Sequence, residues 1–429
     1  MAELVDRVRA LSEVSGWTVL TVRSTEWQTY LVRNRVEAQR SVQQTRALVT
    51  LLHDHAPHQG SCSLTLQGLS EPELRARLRE GVYIASTVDN KPYALLDPRT
   101  DYAEVPVCDP EIAADPEKVA SEYVERLRAA VSQSPEVHLA SAEFFFTRAE
   151  YNLQTSTGID RVEMRTTAFW DGVVLAGEHE QVEHHFQRQR RRPRDWDLEA
   201  FYASQVRYAS DRLRATPTPS RESLALVVPG DVLSDVLAPV VFHLTGAAKF
   251  NRLSQWEIGT TVWGDRPLIG EPLQIVSSRL TPFGSSSASF DEDGFPAARI
   301  PLVEDGKVAK FVCSKQYADY LGLPATGRQG DLHIASGARS AAELHADPCL
   351  EVVSFAALQP DNYSGALFAE IRLGYLHEGG TITPVTGGAV VGNVLAALAN
   401  TRYASEQGFW GNVVGPTCAR LEDFSLVGS

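Results

Sequence analysis

The sequence predicts an α+β fold in two domains, an N-terminal α/β domain over residues 1–215 and a β-rich C-terminal domain over residues 221–429. The length of 429 residues is the first reason, because one hydrophobic core rarely serves a chain of that size. The second is Thr216–Ser220, whose two prolines among small polar residues predict an extended, solvated linker. The third is the number of strand signals beyond this linker, which predict a mostly antiparallel sheet or a partial barrel.

Helical and extended patterns alternate in the N-terminal half. β-Branched and aromatic residues predict two short strands over Trp17–Val36 and further strands over Val137–Trp170, with a turn at Ser156–Gly158. Apolar spacing and capping signals predict helices at Leu4–Val14, Val36–His53, Ser70–Leu78, Asp115–Val131 and Asp197–Leu213.

Two hairpin signals stand out in the C-terminal half. Asp305-Gly306 lies between the apolar flanks of Leu302–Phe311, and this dipeptide readily adopts the positive φ angles of a tight turn. Glu378–Gly380 predicts a similar turn within Ala366–Val385. Other patterns predict strands at Leu224–Val228 and Ala419–Val427, and helices from Asp231, over Ser314–Leu321 and over Val394–Leu398.

Composition narrows the class of protein. The net charge of −14 argues against an open nucleic-acid surface, because phosphate binding needs a basic face. The five cysteines are scattered and form no C-x-x-C pair, which favours reduced thiols over a disulfide framework. The charged first residues do not form a secretory signal, and no apolar run approaches the roughly 20 residues that span a bilayer. We therefore expect a cytoplasmic protein that binds neither nucleic acid nor a membrane.

An ordered set of short motifs covers most of residues 140–429. The motifs are Asn152–Gly158, Phe283–Gly294, Pro301–Gly306, Tyr317–Gly322, Thr326–Gly330 and Pro384–Val394. No single motif is specific, but the ordered set resembles the TldD/PmbA metallopeptidase family and, within it, the TldE (PmbA) branch. The N-terminal part matches less closely, although its order of helices and strands is compatible.

This resemblance implies both a partner and a substrate. In the family, the TldD subunit carries zinc and the TldE subunit does not. The two pair as a heterodimer that cleaves unstructured peptides, including leader peptides of modified natural-product precursors. We therefore expect a TldE-like chain without a cofactor of its own, a zinc-bearing TldD-like partner, and a peptide held as an added β-strand.

The segment Pro239–Ala247 decides whether the chain itself is expected to be catalytic. Catalytic relatives carry a zinc-binding His-Glu-x-x-x-His helix here, whereas this chain keeps only His243, with no glutamate beside it. A zinc peptidase needs three protein ligands, an open position for water and a nearby base. The sequence therefore predicts no catalytic residue in this chain and a buried, hydrogen-bonded His243. Cys418, near the point where TldD supplies a cysteine ligand, is expected to be a buried structural thiol.

A literal His-Glu-x-x-x-His does occur elsewhere, at His179, Glu180 and His184. It follows Asp171-Gly172, which has the composition of a turn, and a spacing of five separates the two imidazoles by about 140° around a regular helix. A self-sufficient metallopeptidase using these three residues stays open as an alternative, beside a solvated polar stretch or a pH-sensitive contact. The run of arginines that follows, between positions 188 and 194, is interpreted as an exposed loop or a partner-facing patch.

Two loops, 326–337 and 387–393, are predicted to face the peptide or the partner. The residues concerned are Thr326, Gly327, Gly330, His333, Gly387, Gly388 and Asn393. A further alternative function is a peptide-binding or regulatory protein that has no proteolytic partner.

Overall fold

A computed structural model describes residues 2–131, 136–177 and 182–428 of the chain. The N-terminal elements are α1 (Ala2–Arg9), β1 (Gly16–Val32), β2 (Arg35–His55), β3 (His58–Gln67), α2 (Glu71–Thr87), α3 (Pro110–Ala114), α4 (Pro116–Val131), β4 (Val137–Thr155), β5 (Asp160–Ala176), β6 (Val182–Arg190), a 3₁₀ turn (Pro193–Trp196) and α5 (Leu198–Leu213). None of the helices in the described part of the chain has the length and apolar character needed to cross a bilayer.

The C-terminal half contains shorter elements. They are β7 (Thr216–Pro217), β8 (Arg221–Pro229), a 3₁₀ turn (Gly230–Val232), α6 (Leu233–Val236), α7 (Ala238–His243), α8 (Gly246–Phe250), β9 (Ile275–Ser278), β10 (Arg299–Glu304), β11 (Lys307–Val308), α9 (Lys315–Leu321), β12 (Asp331–Ile334), α10 (Ala341–Leu344), β13 (Cys349–Ala357), β14 (Ala366–Glu378), β15 (Thr381–Thr386), β16 (Ala389–Asn393), α11 (Val394–Ala397), a 3₁₀ turn (Leu398–Asn400), β17 (Thr401–Tyr403), β18 (Gln407–Phe409), β19 (Val413–Pro416) and β20 (Cys418–Val427).

A long antiparallel sheet organises the N-terminal half. Within the described residues its strand order is β3-β2-β1-β4-β5-β6. Helix α2 packs against β2 and β3, while α4 and α5 cover the half of the sheet formed by β4 to β6. Both helix starts that the sequence marked, a capping box at Ser70 and a proline at position 116, are present in the structure.

The strands β1 and β2 correct two predictions. Trp17–Val36 does not form two short strands, because β1 runs unbroken to Val32. Val36–His53 is not a helix, because β2 pairs with β1 from Gly16↔Leu52 to Val32↔Arg35. The apolar residues at 42, 48 and 52 are too sparse to define a helical face, and burial alternates at 47, 49 and 51 as in a strand. Cross-strand pairing therefore overrides the apparent helical spacing.

Large aromatic side chains fill the N-terminal core. Trp170 on β5 is fully buried, with ring centroids 5.6 Å from Phe144, 5.1 Å from Phe186 and 5.4 Å from Phe201. Trp196, at the end of the 3₁₀ turn, lies 5.8 Å from Trp170 and is also fully buried. These rings join the sheet to α5, so the cluster fixes the helix that forms one wall of the cavity described below.

A small closed barrel lies in the C-terminal half. The strands β13, β8, β20, β16 and β14 pair in succession, and β14 pairs back onto β13. A second sheet, with the order β11-β10-β9-β12-β19-β18 over the described residues, packs beside it. One continuous apolar core takes side chains from both, for example Leu226, Leu350 and Phe424 from the barrel and Leu302 and Leu332 from the second sheet. The predicted α+β class with a β-rich, barrel-like C-terminal part is confirmed.

The two predicted hairpins are present. Asp305 and Gly306 connect β10 to β11 with φ angles of 47° and 71°. Gly379 and Gly380, with φ angles of 63° and 75°, connect β14 to β15. Local turn chemistry was sufficient to place both hairpins.

The segment Thr216–Ser220 is extended but not freely solvated. Its first two residues form β7, which pairs in parallel with Val385 and Thr386 of β15. Thr218 is 2% exposed, and its backbone N–H donates to the Thr386 carbonyl at 3.1 Å. The prolines keep the chain extended, and this straight segment is bound to the edge of the C-terminal sheet. The proposed division at residues 215 and 221 stays a prediction.

Candidate functional site

His243 is the last residue of helix α7, and its side chain is buried and fixed by a hydrogen bond and a ring contact. Its side chain is 7% exposed, its Nε2 lies 3.0 Å from the Tyr363 carbonyl oxygen, and its ring stacks on Trp256 at 4.8 Å. Because a carbonyl oxygen only accepts, Nε2 carries a hydrogen, and the neutral ring keeps its lone pair on Nδ1. Nδ1 is buried without a partner, and burial lowers the pKa of His243.

This segment does not fit a zinc ion. The helix α7 ends at His243, and Thr245 begins the next helix by accepting from the Ala248 N–H through its side chain. No carboxylate stands next to His243 in the sequence, and its ring nitrogens are bonded or sealed. Across residues 2–131, 136–177 and 182–428, no group of three His, Cys, Asp or Glu side chains is arranged to hold a metal ion.

The second His-Glu-x-x-x-His copy lies only partly within the described chain. His179 and Glu180 are outside the described residues. His184 lies on strand β6 and is 2% exposed, with its Nε2 3.0 Å from Oε1 of Gln205. Burial lowers the pKa of His184, so the neutral ring is favoured.

Asp171-Gly172 is not a turn, contrary to the sequence interpretation. Both residues lie inside β5 and pair with Gln187 and Phe186 of β6. A Cβ on Gly172 would lie 2.4 Å from the ring of Phe186. The glycine therefore makes room for an aromatic ring on the neighbouring strand, which is a packing requirement and not a turn.

Cys418 is buried, as expected for a structural thiol. Its side chain is 4% exposed on β20, and burial raises the pKa of the thiol to about 12. All five cysteines, each of which lies in the described ranges, are free. A thiol with so high a pKa is not poised as a nucleophile or a ready metal ligand.

The predicted loop at Thr326–Gly330 is tied to its neighbours. The Thr326 hydroxyl donates to the Phe311 carbonyl at 3.1 Å and accepts from the Cys313 N–H at 2.8 Å. Gly327 has a φ of 79°, and a Cβ on Gly330 would lie 2.3 Å from the backbone of Ser278. These three residues therefore have a clear packing role, and their contact with a peptide or partner stays a prediction.

The second predicted loop has a similar character. Gly387 and Gly388, with φ angles of 72° and 66°, exchange backbone hydrogen bonds with Ile371 between β15 and β16. Asn393 caps α11 by accepting from the Ala396 N–H at 2.9 Å, and it donates to the Ser364 carbonyl at 2.7 Å. Here too the geometry explains the residues structurally and leaves a contact with peptide or partner as a prediction.

His333 differs from the other predicted residues because it lines a cavity. It lies on β12, with its Nε2 2.7 Å from the Thr281 hydroxyl, and it faces a cavity of about 230 Å³ together with Arg299 and Gln407. Burial and then Arg299 lower the pKa of His333. The neutral imidazole can act as a hydrogen-bonding group in this cavity, on a central strand of the second C-terminal sheet.

The arginine run is not an exposed loop, which corrects the sequence interpretation. Arg190 ends β6 with 5% exposure, and Arg191 is 8% exposed. The Arg191 guanidinium donates to the carbonyls of Gly284, Ser285, Ser287 and Thr166. It therefore attaches the motif Phe283–Gly294 to the N-terminal sheet, and these backbone acceptors replace the water that an exposed arginine would bind.

A buried ion pair holds the other end of the same motif. Arg279 and Asp291 lie 2.9 Å apart, and their side chains are 5% and 4% exposed. Asp291 also accepts from the backbone N–H groups of Asp293, Phe295 and Arg328. Arg279 donates to the Phe295 carbonyl at 2.7 Å. The motif is thus fixed by one guanidinium at each end.

A cavity of about 620 Å³ lies between the two halves of the chain. Strand β6 and helix α5 form one wall, and the turn after β8, the loop at 285–286 and residues 410–412 form the other. On β6, burial alternates at His184, Phe186 and Arg190, with Arg188 half-buried between them. This two-residue period of burial is typical of a strand, but the sequence shows it only weakly, because Phe186 is the one apolar residue among positions 183–190.

Two arginines and one aspartate set the charge of this cavity. Arg188 donates to the Trp196 carbonyl at 2.7 Å and lies over the Phe201 ring at 4.1 Å. Arg190 donates to the carbonyl of its neighbour Gln189, and burial lowers the pKa of Arg190 to about 10. Asp231 lines the cavity, where its removal from bulk water raises the pKa of its carboxyl against the attraction of Arg188.

Residues 225–428 match the model of the PmbA/TldA metallopeptidase C-terminal domain. This part of the chain is therefore similar to the C-terminal domain of the TldD/PmbA family. The matched range contains Pro239–Ala247, Phe283–Gly294, Thr326–Gly330 and Pro384–Val394, so the family resemblance read from the ordered motifs is confirmed.

Solved structures share the fold over the whole chain. TldE from Thermococcus kodakarensis aligns with a TM-score of 0.82 and 16% identity, covering 100% of both chains. A proposed modulator of a DNA gyrase from Thermotoga maritima aligns with a TM-score of 0.81 and 17% identity, again over 100% of both chains. A similar protein from Bacteroides thetaiotaomicron gives 0.81 and 15%, covering 100% of this chain and 99% of the other. No curated protein matches this chain.

Proposed function

We propose that this chain is the non-catalytic, TldE-like subunit of a cytoplasmic metallopeptidase. Its partner would be a TldD-like subunit that carries the zinc, and the pair would cleave unstructured peptides such as leader peptides of modified natural-product precursors. The observation that carries this proposal is the state of His243. It stands where catalytic relatives have their zinc helix, and it is bonded to the Tyr363 carbonyl and stacked on Trp256.

The chemistry of the segment Pro239–Ala247 supports a non-catalytic role for this chain. A hydrolytic zinc site needs imidazoles with lone pairs directed at the ion, and a carboxylate that takes a proton from the bound water. At His243 the one free lone pair is on Nδ1, which is buried and does not reach solvent. Supplying a site here would require a new glutamate, a second histidine and a different ring orientation, not a small adjustment.

The edge of the second C-terminal sheet offers a place for a peptide. Strand β18 (Gln407–Phe409) is a terminal strand of that sheet over the described residues, and its residues are exposed or half-buried. It lies between the His333 cavity, which Gln407 lines, and the larger cavity, which Trp410 lines. An extended peptide could pair with β18 through main-chain hydrogen bonds and place side chains in either cavity.

Reconstitution with the cognate TldD-like subunit tests the proposal. We expect the pair to cleave an unstructured peptide, and we expect His179→Ala/His184→Ala in this chain to leave the rate within about twofold, because neither residue would touch the reacting bond. Alanine in place of the partner's zinc-binding histidines should abolish cleavage, as the matched control. Loss of cleavage on changing His179 and His184 in a complex that still assembles would support the self-sufficient metallopeptidase instead.

A further inference from the structure

We propose that the 620 Å³ cavity between the two halves is a binding site for a carboxylate, with Arg190 as its main anchor. The ligand class is a carboxylic acid anion, supplied either by the C-terminal end of a peptide or by a small organic acid. The site is independent of the zinc chemistry, since it needs only residues of this chain.

Arg190 is the observation that points to a ligand. Its side chain is 95% buried, yet its one hydrogen bond to the described protein goes to the carbonyl of the adjacent Gln189. Its Nε is sealed from solvent without an acceptor. Asp195 and Asp231 act on its charge in the described part of the chain, but Asp195 is paired with Arg192, and neither carboxylate accepts a hydrogen bond from Arg190. A guanidinium has five N–H donors, and the buried guanidinium of Arg190 has one protein acceptor among the described residues. An anion that accepts from the remaining donors would therefore bind favourably.

The surrounding structure makes room for that guanidinium. Gly411 has a φ of 90°, and a Cβ there would lie 3.0 Å from one terminal nitrogen of Arg190. Phe409, two residues before Gly411, has its ring centroid 5.9 Å from the central carbon of the Arg190 guanidinium. Residues 409–411 therefore confine the Arg190 side chain. Its guanidinium is already positioned before a carboxylate binds, which reduces the entropy cost of binding.

The remaining lining suits a carboxylate better than a wholly apolar group. Arg188 adds a second positive charge, while Asn412 and Ser286 add neutral polar groups. Asp231 lies in the same cavity and offsets part of the positive charge, which favours a singly charged anion over a doubly charged phosphate. Planar two-oxygen anions also match the guanidinium fork, which can donate two parallel N–H···O bonds.

The cavity has the dimensions of a ligand site. Its volume falls within the range of about 300–1,000 Å³ that is typical of small-molecule pockets. Phe186 and Phe201 provide apolar surface next to the arginines, and both rings are fixed by contacts with Trp170. A short peptide end could therefore place its carboxylate at Arg190 and its last side chains against these rings.

Calorimetric titration of the purified chain alone tests the site. The probes are N-acetyl-trialanine with a free carboxylate, the same peptide with a C-terminal amide, and acetate. We expect the acid to bind at least about tenfold more tightly than the amide, because the amide cannot accept charge-assisted hydrogen bonds in the same way. Binding of acetate as tight as that of the peptide acid would support small acids as the source, and binding of the peptide acid alone would support a peptide end.

Two variants and a control complete the experiment. Arg190→Gln should weaken binding of the peptide acid by about tenfold or more, whereas Arg194→Gln, an exposed arginine in the same run, should leave it unchanged. Asp231→Asn, at a position open to the cavity, should tighten binding about threefold at pH 8 by removing a like charge. If Arg190→Gln fails to fold, Asp231→Asn still tests the site, because it is expected to increase the affinity for the peptide acid and not to decrease it.

The overturning results are distinct. Equal binding of acid and amide, binding of neither at millimolar concentration, or an Asp231→Asn variant that binds no more tightly than the wild type would each refute the carboxylate site. Because the titration uses the chain without a TldD-like subunit, these results do not depend on whether the proposed pairing is correct.

Discussion

Trp170→Ala is expected to destabilise the protein by about 4 kcal/mol. Trp170 is fully buried and contacts Phe144, Phe186, Trp196 and Phe201, so its removal leaves a large cavity among rings that cannot collapse into the space. The measurement is urea unfolding followed by far-ultraviolet circular dichroism, with the midpoint and slope compared with those of the wild type.

Tyr83→Ala is the matched control for this prediction. Tyr83 lies on α2 and is 69% exposed, so its truncation should change the free energy of unfolding by no more than about 0.5 kcal/mol. A Trp170→Ala protein as stable as the control would contradict the packing described for the N-terminal core. Because Phe186 and Phe201 also line the 620 Å³ cavity, the same variant should weaken binding of the peptide acid there.

Arg279→Ala is expected to cost about 3–4 kcal/mol, because it leaves the Asp291 carboxylate buried without a countercharge. The three backbone N–H groups that bond to Asp291 remain, so the loss should fall short of complete unfolding. Urea unfolding again measures the change. Limited proteolysis should also show earlier cleavage within Phe283–Gly294, because Arg279 holds that motif in place.

The controls for Arg279 separate burial from charge. Arg299→Ala removes an exposed arginine on β10 and should have an effect close to zero. The double variant Arg279→Ala/Asp291→Ala should be less destabilised than the sum of its single variants, since no unpaired charge is then left. Strictly additive effects would show that the two side chains do not depend on each other and would contradict the ion pair.

Features that depend on local chemistry were predictable from the sequence. Asp305-Gly306 defines a hairpin because few dipeptides accept two positive φ angles, and the capping box at Ser70 begins α2 for an equally local reason. The family resemblance also came from short motifs in order. In each case, the residues that make the interaction lie within a few positions of one another.

Features that depend on distant contacts were not predictable in the same way. Strand β2 was interpreted as a helix because the long pairing with β1, not its own apolar spacing, decides its conformation. The buried arginines were interpreted as exposed because three of the four carbonyls that bind Arg191 lie 93 to 96 positions further along the chain. The residues at positions 183–190 are polar or charged apart from Phe186, so little in the local sequence indicates a buried strand.

At the candidate site, too, local features were predictable from the sequence and features that depend on distant contacts were not. The absence of a zinc helix at Pro239–Ala247 could be seen in the sequence, but the reason that His243 is locked could not. Its partners Tyr363 and Trp256 come from other parts of the fold. Similarly, Gly327, Gly388 and Asn393 were selected by motif, and the structure adds that turns and a helix cap already require them.

The most direct test of the non-catalytic role is the zinc content and peptidase activity of the chain purified without a partner. After incubation with zinc and removal of free metal, we predict far less than one zinc ion per chain and no cleavage of an unstructured peptide above the blank. One tightly held zinc ion per chain, with peptide cleavage that a chelator abolishes, would contradict the proposal.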